Sequence, residues 1–164
     1  MRTSLKRVAL LLSIVTSCVG CDQVTKAAAR DCLAYSPPMS FLGDVFRLEY
    51  VENPGAFLGV GANLSDHWRA TLLIAGACAW LLAVAFMLTR ELSLPRFSGL
   101  GLILAGGIGN LIDRILNHNA VVYFMNVGIG SVRTGIFNVA DVALMCGAAL
   151  LVLSSMERRP DPSP

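Results

Sequence analysis

Charged residues are scarce in this sequence, and their scarcity excludes a water-soluble domain. They make up 15% of the 164 residues, whereas hydrophobic residues make up 55% and the mean hydropathy is +0.64. Soluble domains average about 25% charged residues, and a domain of this size has a large surface for its volume. The chain has too little polar surface to cover such a globule, so its composition predicts a membrane protein.

The sequence also lacks the residues that several common kinds of functional site require. The net charge is only +2, and no basic patch is interleaved with aromatic residues, so we expect no nucleic-acid partner. The five cysteines are odd in number, and the Cys18–Cys21 pair has neither a second pair nor a histidine nearby, so we expect no metal site. His67 and His118 are isolated, and the sequence therefore offers no Ser/His/Asp or Cys/His arrangement.

Four segments are apolar enough to cross a bilayer, which takes about 20 residues. They run from about residue 8 to 29, 70 to 88, 97 to 116 and 136 to 153. The sequence therefore predicts an all-α membrane protein with a single domain and four transmembrane helices. Its two longer loops, about 30–69 and 117–135, lie on the same side.

The first of these segments also looks like a lipoprotein cleavage signal. Val15-Thr16-Ser17-Cys18 follows Arg2, Lys6, Arg7 and a short apolar run. A lipoprotein is anchored by its acylated cysteine and continues as a soluble domain, whereas this chain continues as three more spans. We therefore expect a retained helix rather than cleavage at Cys18.

Basic residues are distributed unequally between the two sides of the predicted bundle. One side carries Arg2, Lys6, Arg7, Arg90, Arg96, Arg158 and Arg159, and the other carries Arg30, Arg47, Arg69 and Arg133. Since cytoplasmic loops are enriched in Lys and Arg, this bias of seven to four predicts that both termini are cytoplasmic.

Two short stretches in the outer loops have the character of strands. Phe46 to Tyr50 alternates polar and apolar side chains, and the turn residues Asn53-Pro54-Gly55 end that stretch. Val121-Val122-Tyr123-Phe124 in the second loop is also strand-like. The sequence predicts a small β-sheet at the outer membrane surface.

Three polar motifs interrupt the spans, where an ionisable group costs at least about 2.5–3.5 kcal/mol. They are Asp22 with Lys26, Asn110 with Asp113 and Arg114, and Asn138 with Asp141. Residues three or four apart share a helix face, and all three motifs lie toward the outer ends of their spans, so we expect them to converge. These residues either form interhelical hydrogen bonds that hold the bundle together or form a carboxylate site. The number of charged residues among them favours a site.

Spacing alone selects Asp113 and Asp141 as a pair of acids. Two nearby carboxylates share a proton, so that one acts as a base on water while the other donates to a carbonyl oxygen.

The glycines Gly106, Gly107 and Gly109 follow an apolar helix and indicate close helix packing rather than a phosphate loop.

The motifs resemble those of the lipoprotein signal peptidases (type II signal peptidases) over nearly the whole chain. The matching stretches are DQVTK (Asp22 to Lys26), ENPGAFLG (Glu52 to Gly59), GGIGNLIDR (Gly106 to Arg114) and FNVADVAL (Phe137 to Leu144). The resemblance implies a four-helix bundle with a small periplasmic sheet in the bacterial inner (cytoplasmic) membrane. It implies an aspartic endopeptidase that cuts diacylglyceryl-modified prolipoproteins just before the lipidated cysteine, at the periplasmic face.

The resemblance also implies partners and residue roles. No metal or organic cofactor would be needed, membrane lipids would surround the protein, and cyclic peptide antibiotics such as globomycin would bind it. Asp141 matches one catalytic aspartate. Polar positions that surround the catalytic pair or bind substrate match Asp22, Lys26, Asn53, Asn110, Arg114 and Asn138.

One position departs from the family pattern. The other catalytic aspartate lies in a Val-Val-Asp-Phe-like stretch, and this chain has Tyr123 there. A phenol with a pKa near 10 is a poor base at neutral pH. Three possibilities stay open: Asp113 supplies the second acid, the chain is a catalytically impaired paralogue that binds lipopeptide or antibiotic without cutting, or Tyr123 leaves weak activity. In the family the aspartate of GNLIDR is thought to be structural, and its neighbouring arginine is expected to hold it.

Overall fold

The computed structural model describes residues 5–55 and 65–156, so residues 56–59 of the ENPGAFLG motif lie outside it. The described residues contain four helices long and apolar enough to cross a membrane. They are α1 (Leu5–Leu33), α2 (Asp66–Leu88), α3 (Leu94–Leu116) and α4 (Val139–Met156). The predicted bundle of four helices is confirmed, and α1 is longer than expected at both ends.

Local sequence explains where several of these helices begin and end. Helix α1 stops shortly before Pro37 and Pro38, which cannot continue it. Pro95 lies in the first turn of α3, where its missing N–H costs nothing. The 29 residues of α1 span about 43 Å at about 1.5 Å per residue, so α1 is longer than the hydrocarbon core of a bilayer is thick.

A small antiparallel sheet packs on one end of the bundle, and the predicted sheet is confirmed. Its strands are β1 (Met39–Phe41), β2 (Phe46–Asn53), β3 (Val121–Ile129) and β4 (Val132–Arg133), in that spatial order. The register pairs Val51 with Tyr123 and Asn53 with Val121. Phe124 packs with Ala29 and Leu33 of α1, which fixes the sheet against the helices.

Helix α3 packs against each of the other three helices and forms the centre of the bundle. Its glycines allow this, because a Cβ on Gly106 would meet the Ala140 carbonyl oxygen and the Leu144 side chain of α4. A Cβ on Gly107 would meet Leu81 of α2 instead. Close helix packing at this glycine cluster is therefore confirmed.

Substitution of Gly106 by alanine should destabilise the bundle, because the added methyl overlaps backbone as well as a side chain of α4. Overpacking of this kind costs about 1–3 kcal/mol. Gly20 is the matched control, since a Cβ there meets nothing within 4 Å. Thermal unfolding in detergent micelles should show a lower midpoint for Gly106→Ala and an equal or higher one for Gly20→Ala. Equal midpoints for the two variants would contradict the packing argument.

Candidate active site

The side chain of Lys26 joins two aspartates inside the bundle. Its Nζ lies 2.7 Å from Asp22 Oδ2 and 3.1 Å from Asp113 Oδ2, and it donates to Asn110 Oδ1 at 3.1 Å. Asp22, Lys26 and Asp113 are all buried. Ion pairs in this setting need additional hydrogen bonds to offset desolvation, so the surrounding donors are part of the same structure.

Asp22 receives such a bond from the start of α4. Its Oδ1 accepts from the backbone N–H of Ala140 at 2.8 Å, an N–H that has no partner within its own helix. The positive end of the helix dipole favours a carboxylate there. Asp22 thereby fixes α4 against α1.

Both carboxylate oxygens of Asp113 have partners within the protein. Oδ1 accepts from Gln23 Nε2 at 3.1 Å, and Oδ2 accepts from the backbone N–H of Val122 at 2.9 Å in addition to the ion pair with Lys26. The expectation that the neighbouring arginine holds Asp113 is wrong. Instead, Asp113 of α3 is bound by Lys26 and Gln23, which lie on the neighbouring helix α1.

Asn138 and Asp141 form a capping box at the start of α4. The Asp141 N–H donates to Asn138 Oδ1 at 2.9 Å, and the Asn138 N–H donates to Asp141 Oδ2 at 3.1 Å. A capping box satisfies two N–H groups that the helix leaves without partners. This pairing explains the Asn-x-x-Asp spacing in α4 and sets the position of the Asp141 carboxylate.

Asp141 differs from the other two aspartates in its surroundings. Its Oδ1 accepts from Asn110 Nδ2 at 3.0 Å, so both of its oxygens are bound by neutral donors. Its side chain is only partly buried. Asn138 is fully buried, and its Nδ2 donates to Asn110 Oδ1 and to the Val122 carbonyl. The amides of Asn110 and Asn138 thus connect the ion-pair cluster to Asp141.

Tyr123 lies on β3 next to this cluster. Its neighbour Val122 is bound on both sides, to Asp113 through its N–H and to Asn138 through its carbonyl. Burial raises the pKa of the Tyr123 phenol, and the negative charge of Asp141 raises it further, against smaller opposing effects of Arg114 and Asn53. The phenol is therefore neutral at physiological pH.

Arg114 and Asn119 hold the end of β2. The Arg114 guanidinium donates to the carbonyls of Asn119 at 3.1 Å and Gly55 at 3.2 Å, while Asn119 Nδ2 donates to the Pro54 carbonyl at 3.1 Å. Asn53 Oδ1 accepts from the Gly55 N–H at 2.8 Å and closes an Asx turn. The predicted turn at Asn53-Pro54-Gly55 is confirmed, and Arg114 bridges it to α3.

The structure brings the three predicted polar motifs together, as the sequence predicted. Asp22, Lys26 and Asn138 are at most 2% exposed, so they lie beneath the partly exposed Asp141. No role was predicted for Gln23 or Asn119 from the sequence. Gln23 is a polar residue within a span, one turn before Lys26, and that position was a usable signal; Asn119 gave none.

Sequence comparison identifies relatives of the chain along nearly its full length. Residues 14–157 match the family described as signal peptidase (SPase) II. The lipoprotein signal peptidase of Maridesulfovibrio salexigens is 34% identical over 146 residues, which cover 88% of this chain and 92% of that protein. The corresponding protein of Streptomyces griseus is 32% identical over 158 residues, covering 93% and 76%, and that of Mycobacterium tuberculosis is 34% identical over 157 residues, covering 92% and 73%.

Two solved structures, each described as a bacterial membrane enzyme, have the same fold. Their TM-scores to this chain are 0.80 and 0.81 at 24% identity, with coverage of 96% and 93% of this chain and 96% of each of theirs. Sequence matches of this length, together with the shared fold, support one conclusion. The chain belongs to the signal peptidase II family, whose members are membrane proteases that process lipoproteins.

Proposed function

We propose that this chain is an aspartic endopeptidase of low activity, with Asp141 as its one available catalytic carboxylate and neutral Tyr123 in place of the second acid. Its substrates are diacylglyceryl-modified prolipoproteins, cut just before the lipidated cysteine. The observation that carries the proposal is the contrast between two aspartates. Asp113 is 2% exposed and ion-paired with Lys26, whereas Asp141 is partly exposed and bound only by neutral donors.

This contrast argues against Asp113 as the second acid. A base must reach the proton that it abstracts, and the oxygens of Asp113 already accept from Gln23, Val122 and Lys26. Asp113 is therefore a positioning residue that ties β3 and α1 to α3.

The proposed reaction uses Asp141 as base and acid in turn. The Asp141 carboxylate takes a proton from water as the water oxygen attacks the carbonyl carbon of the scissile bond. The Tyr123 hydroxyl donates a hydrogen bond to the developing oxyanion. When the C–N bond breaks, Asp141 returns the proton to the nitrogen of the lipidated cysteine, and the signal peptide leaves as a carboxylic acid.

Asn53 and Arg114 are the proposed contacts for the extended peptide. Both are partly exposed; Asn53 closes the turn at the end of β2, and Arg114 of α3 donates to that turn at Gly55. Asn110 also reaches the site, since its amide binds Asp141. With both termini cytoplasmic, as the basic residues predict, this end of the bundle faces the periplasm. Globomycin-like cyclic peptides would bind at the same place.

Cleavage of a lipidated prolipoprotein by the purified chain tests the proposal. Asp141→Asn should abolish cleavage, because the amide cannot accept a proton, and loss of a general base typically costs about 10²–10⁴-fold. Asp113→Asn, compared at equal folded protein, should keep most of the native rate. A native chain no faster than Asp141→Asn would contradict the proposed activity. A greater loss of rate with Asp113→Asn than with Asp141→Asn would mean that Asp113 is the base instead of Asp141.

A second function is favoured by Tyr123 itself. A phenol held neutral beside a single available carboxylate suits a protein that binds lipopeptide or antibiotic without cutting. Binding of globomycin together with a native rate equal to that of Asp141→Asn would support this function. Failure to bind globomycin would contradict both functions.

A further inference from the structure

A cavity of about 440 Å³ lies beside Arg114, on the side of the bundle formed by α2. Its lining residues are Arg69, Ala70, Ile74, Arg114, His118 and Asn119. Lys26, Asp141 and Tyr123 do not line it. The cavity therefore lies next to the candidate active site and shares Arg114 with the proposed peptide contacts, while the groups of the proposed reaction lie outside it.

Two arginines line this cavity. Arg69 lies in the first turn of α2 and Arg114 in the last turn of α3, and none of the described lining residues is acidic. The short connection of residues 89–93 reverses the chain between these helices. The start of α2 and the end of α3 therefore lie at the same end of two membrane spans, where phospholipid headgroups lie.

Asn119 adds a hydrogen-bond acceptor without a partner. Its side chain is 6% exposed, and its Nδ2 donates to the Pro54 carbonyl at 3.1 Å. Its Oδ1 is buried and has no hydrogen-bond partner within residues 5–55 and 65–156. Buried polar atoms are nearly always paired, so this oxygen calls for a donor from a bound molecule.

We propose that the cavity binds the headgroup of an anionic phospholipid, with the phosphate on Arg69 and Arg114 and a headgroup hydroxyl on Asn119 Oδ1. Arginine is the side chain best suited to phosphate, and its five N–H groups let Arg114 bind phosphate while it holds Gly55 and Asn119. The hydroxyl selects phosphatidylglycerol. Phosphatidylcholine has no headgroup donor, and the ammonium of phosphatidylethanolamine is repelled by the two arginines.

Native mass spectrometry of the full chain, released from detergent micelles with added lipid, tests this assignment. Phosphatidylglycerol should bind with a stoichiometry of one, and phosphatidylcholine about tenfold more weakly. Arg69→Gln should weaken phosphatidylglycerol binding by about tenfold, as expected for loss of a charge-assisted hydrogen bond. Arg90→Gln, which removes an exposed arginine just beyond the opposite end of α2, should leave it unchanged.

A second variant and a competing ion distinguish a bound headgroup from a bound phosphate ion. Asn119→Gly suits the positive φ of 72° at that position, and it should remove the preference for phosphatidylglycerol over phosphatidylcholine. Displacement of the lipid by low millimolar inorganic phosphate would overturn the headgroup assignment in favour of a site for phosphate alone. Equal phosphatidylglycerol binding by the native chain and a folded Arg69→Gln variant would overturn the site itself. None of these measurements depends on cleavage, so they stand apart from the proposed peptidase function.

Discussion

Tyr123→Asp should raise prolipoprotein cleavage by about 100-fold or more. In the proposed mechanism the second member of the pair is Tyr123, a phenol whose pKa lies above its ordinary value because of burial and the charge of Asp141. A carboxylic acid is a far stronger acid than this phenol and donates more effectively to a developing oxyanion. It also shares a proton with Asp141, so each carboxyl can serve as acid or base. General acid–base catalysis contributes about 10²–10⁴-fold, and the variant should recover much of that range. The measurement is kcat for a lipidated prolipoprotein in matched micelles.

Tyr123→Asn is the matched control, because asparagine has the size of aspartate and cannot ionise. It should show no gain, and Tyr123→Phe should lose the residual native activity along with the hydroxyl. The pH profile gives an independent readout. Since the pKa of Tyr123 is raised, the native phenol stays protonated to above about pH 10, and cleavage should not fall on the alkaline side below that value. Cleavage by the Tyr123→Asp variant should already fall as the pH rises through a lower value than in the native chain, because its carboxyl pair loses the shared proton there. Equal rates for Tyr123→Asp and Tyr123→Asn would contradict the catalytic role given to position 123.

The sequence predicted that the polar motifs converge, but it could not distinguish Asp113 from Asp141. Each aspartate follows an asparagine by three residues, so local spacing treats them alike. The difference arises from tertiary neighbours. Lys26 and Gln23 of α1 lie beside Asp113, while Asn138 begins α4 and turns the second motif into a helix cap. Neither contact can be predicted from the composition or from the spacing of apolar residues along the sequence.

The limits of the fold prediction have a similar cause. Long apolar runs predicted the helices, because a membrane span needs many consecutive apolar residues. Strands β2 and β3 gave a local signal, while β1 and β4 have only three and two residues. Segments this short show no alternation to detect. They form because β2 and β3 offer free edges for pairing.

Lys26→Met should produce the largest loss of stability among single substitutions in the site. It leaves the buried carboxylates of Asp22 and Asp113 without their cation, and breaking a buried ion pair costs about 3–5 kcal/mol. The loss should also reach Asp141, because Asp22 binds the N–H of Ala140 in the first turn of α4. Thermal unfolding in detergent micelles measures the effect, and residual cleavage should fall with the folded fraction or further.

Two comparisons separate loss of the buried cation from loss of any lysine on α1. Lys6 lies on the same helix but is exposed, and Lys6→Met should change stability by less than about 0.5 kcal/mol. Asp113→Asn should cost less than Lys26→Met, because it leaves the Lys26–Asp22 pair intact and balanced. The double variant Lys26→Met with Asp113→Asn should then be more stable than Lys26→Met alone, since it removes one of the two carboxylates left without a cation. Additive losses in the double variant would mean that Lys26 and Asp113 act independently. Helices α1, α3 and α4 would then be held together by packing at the glycines of α3 rather than by this cluster.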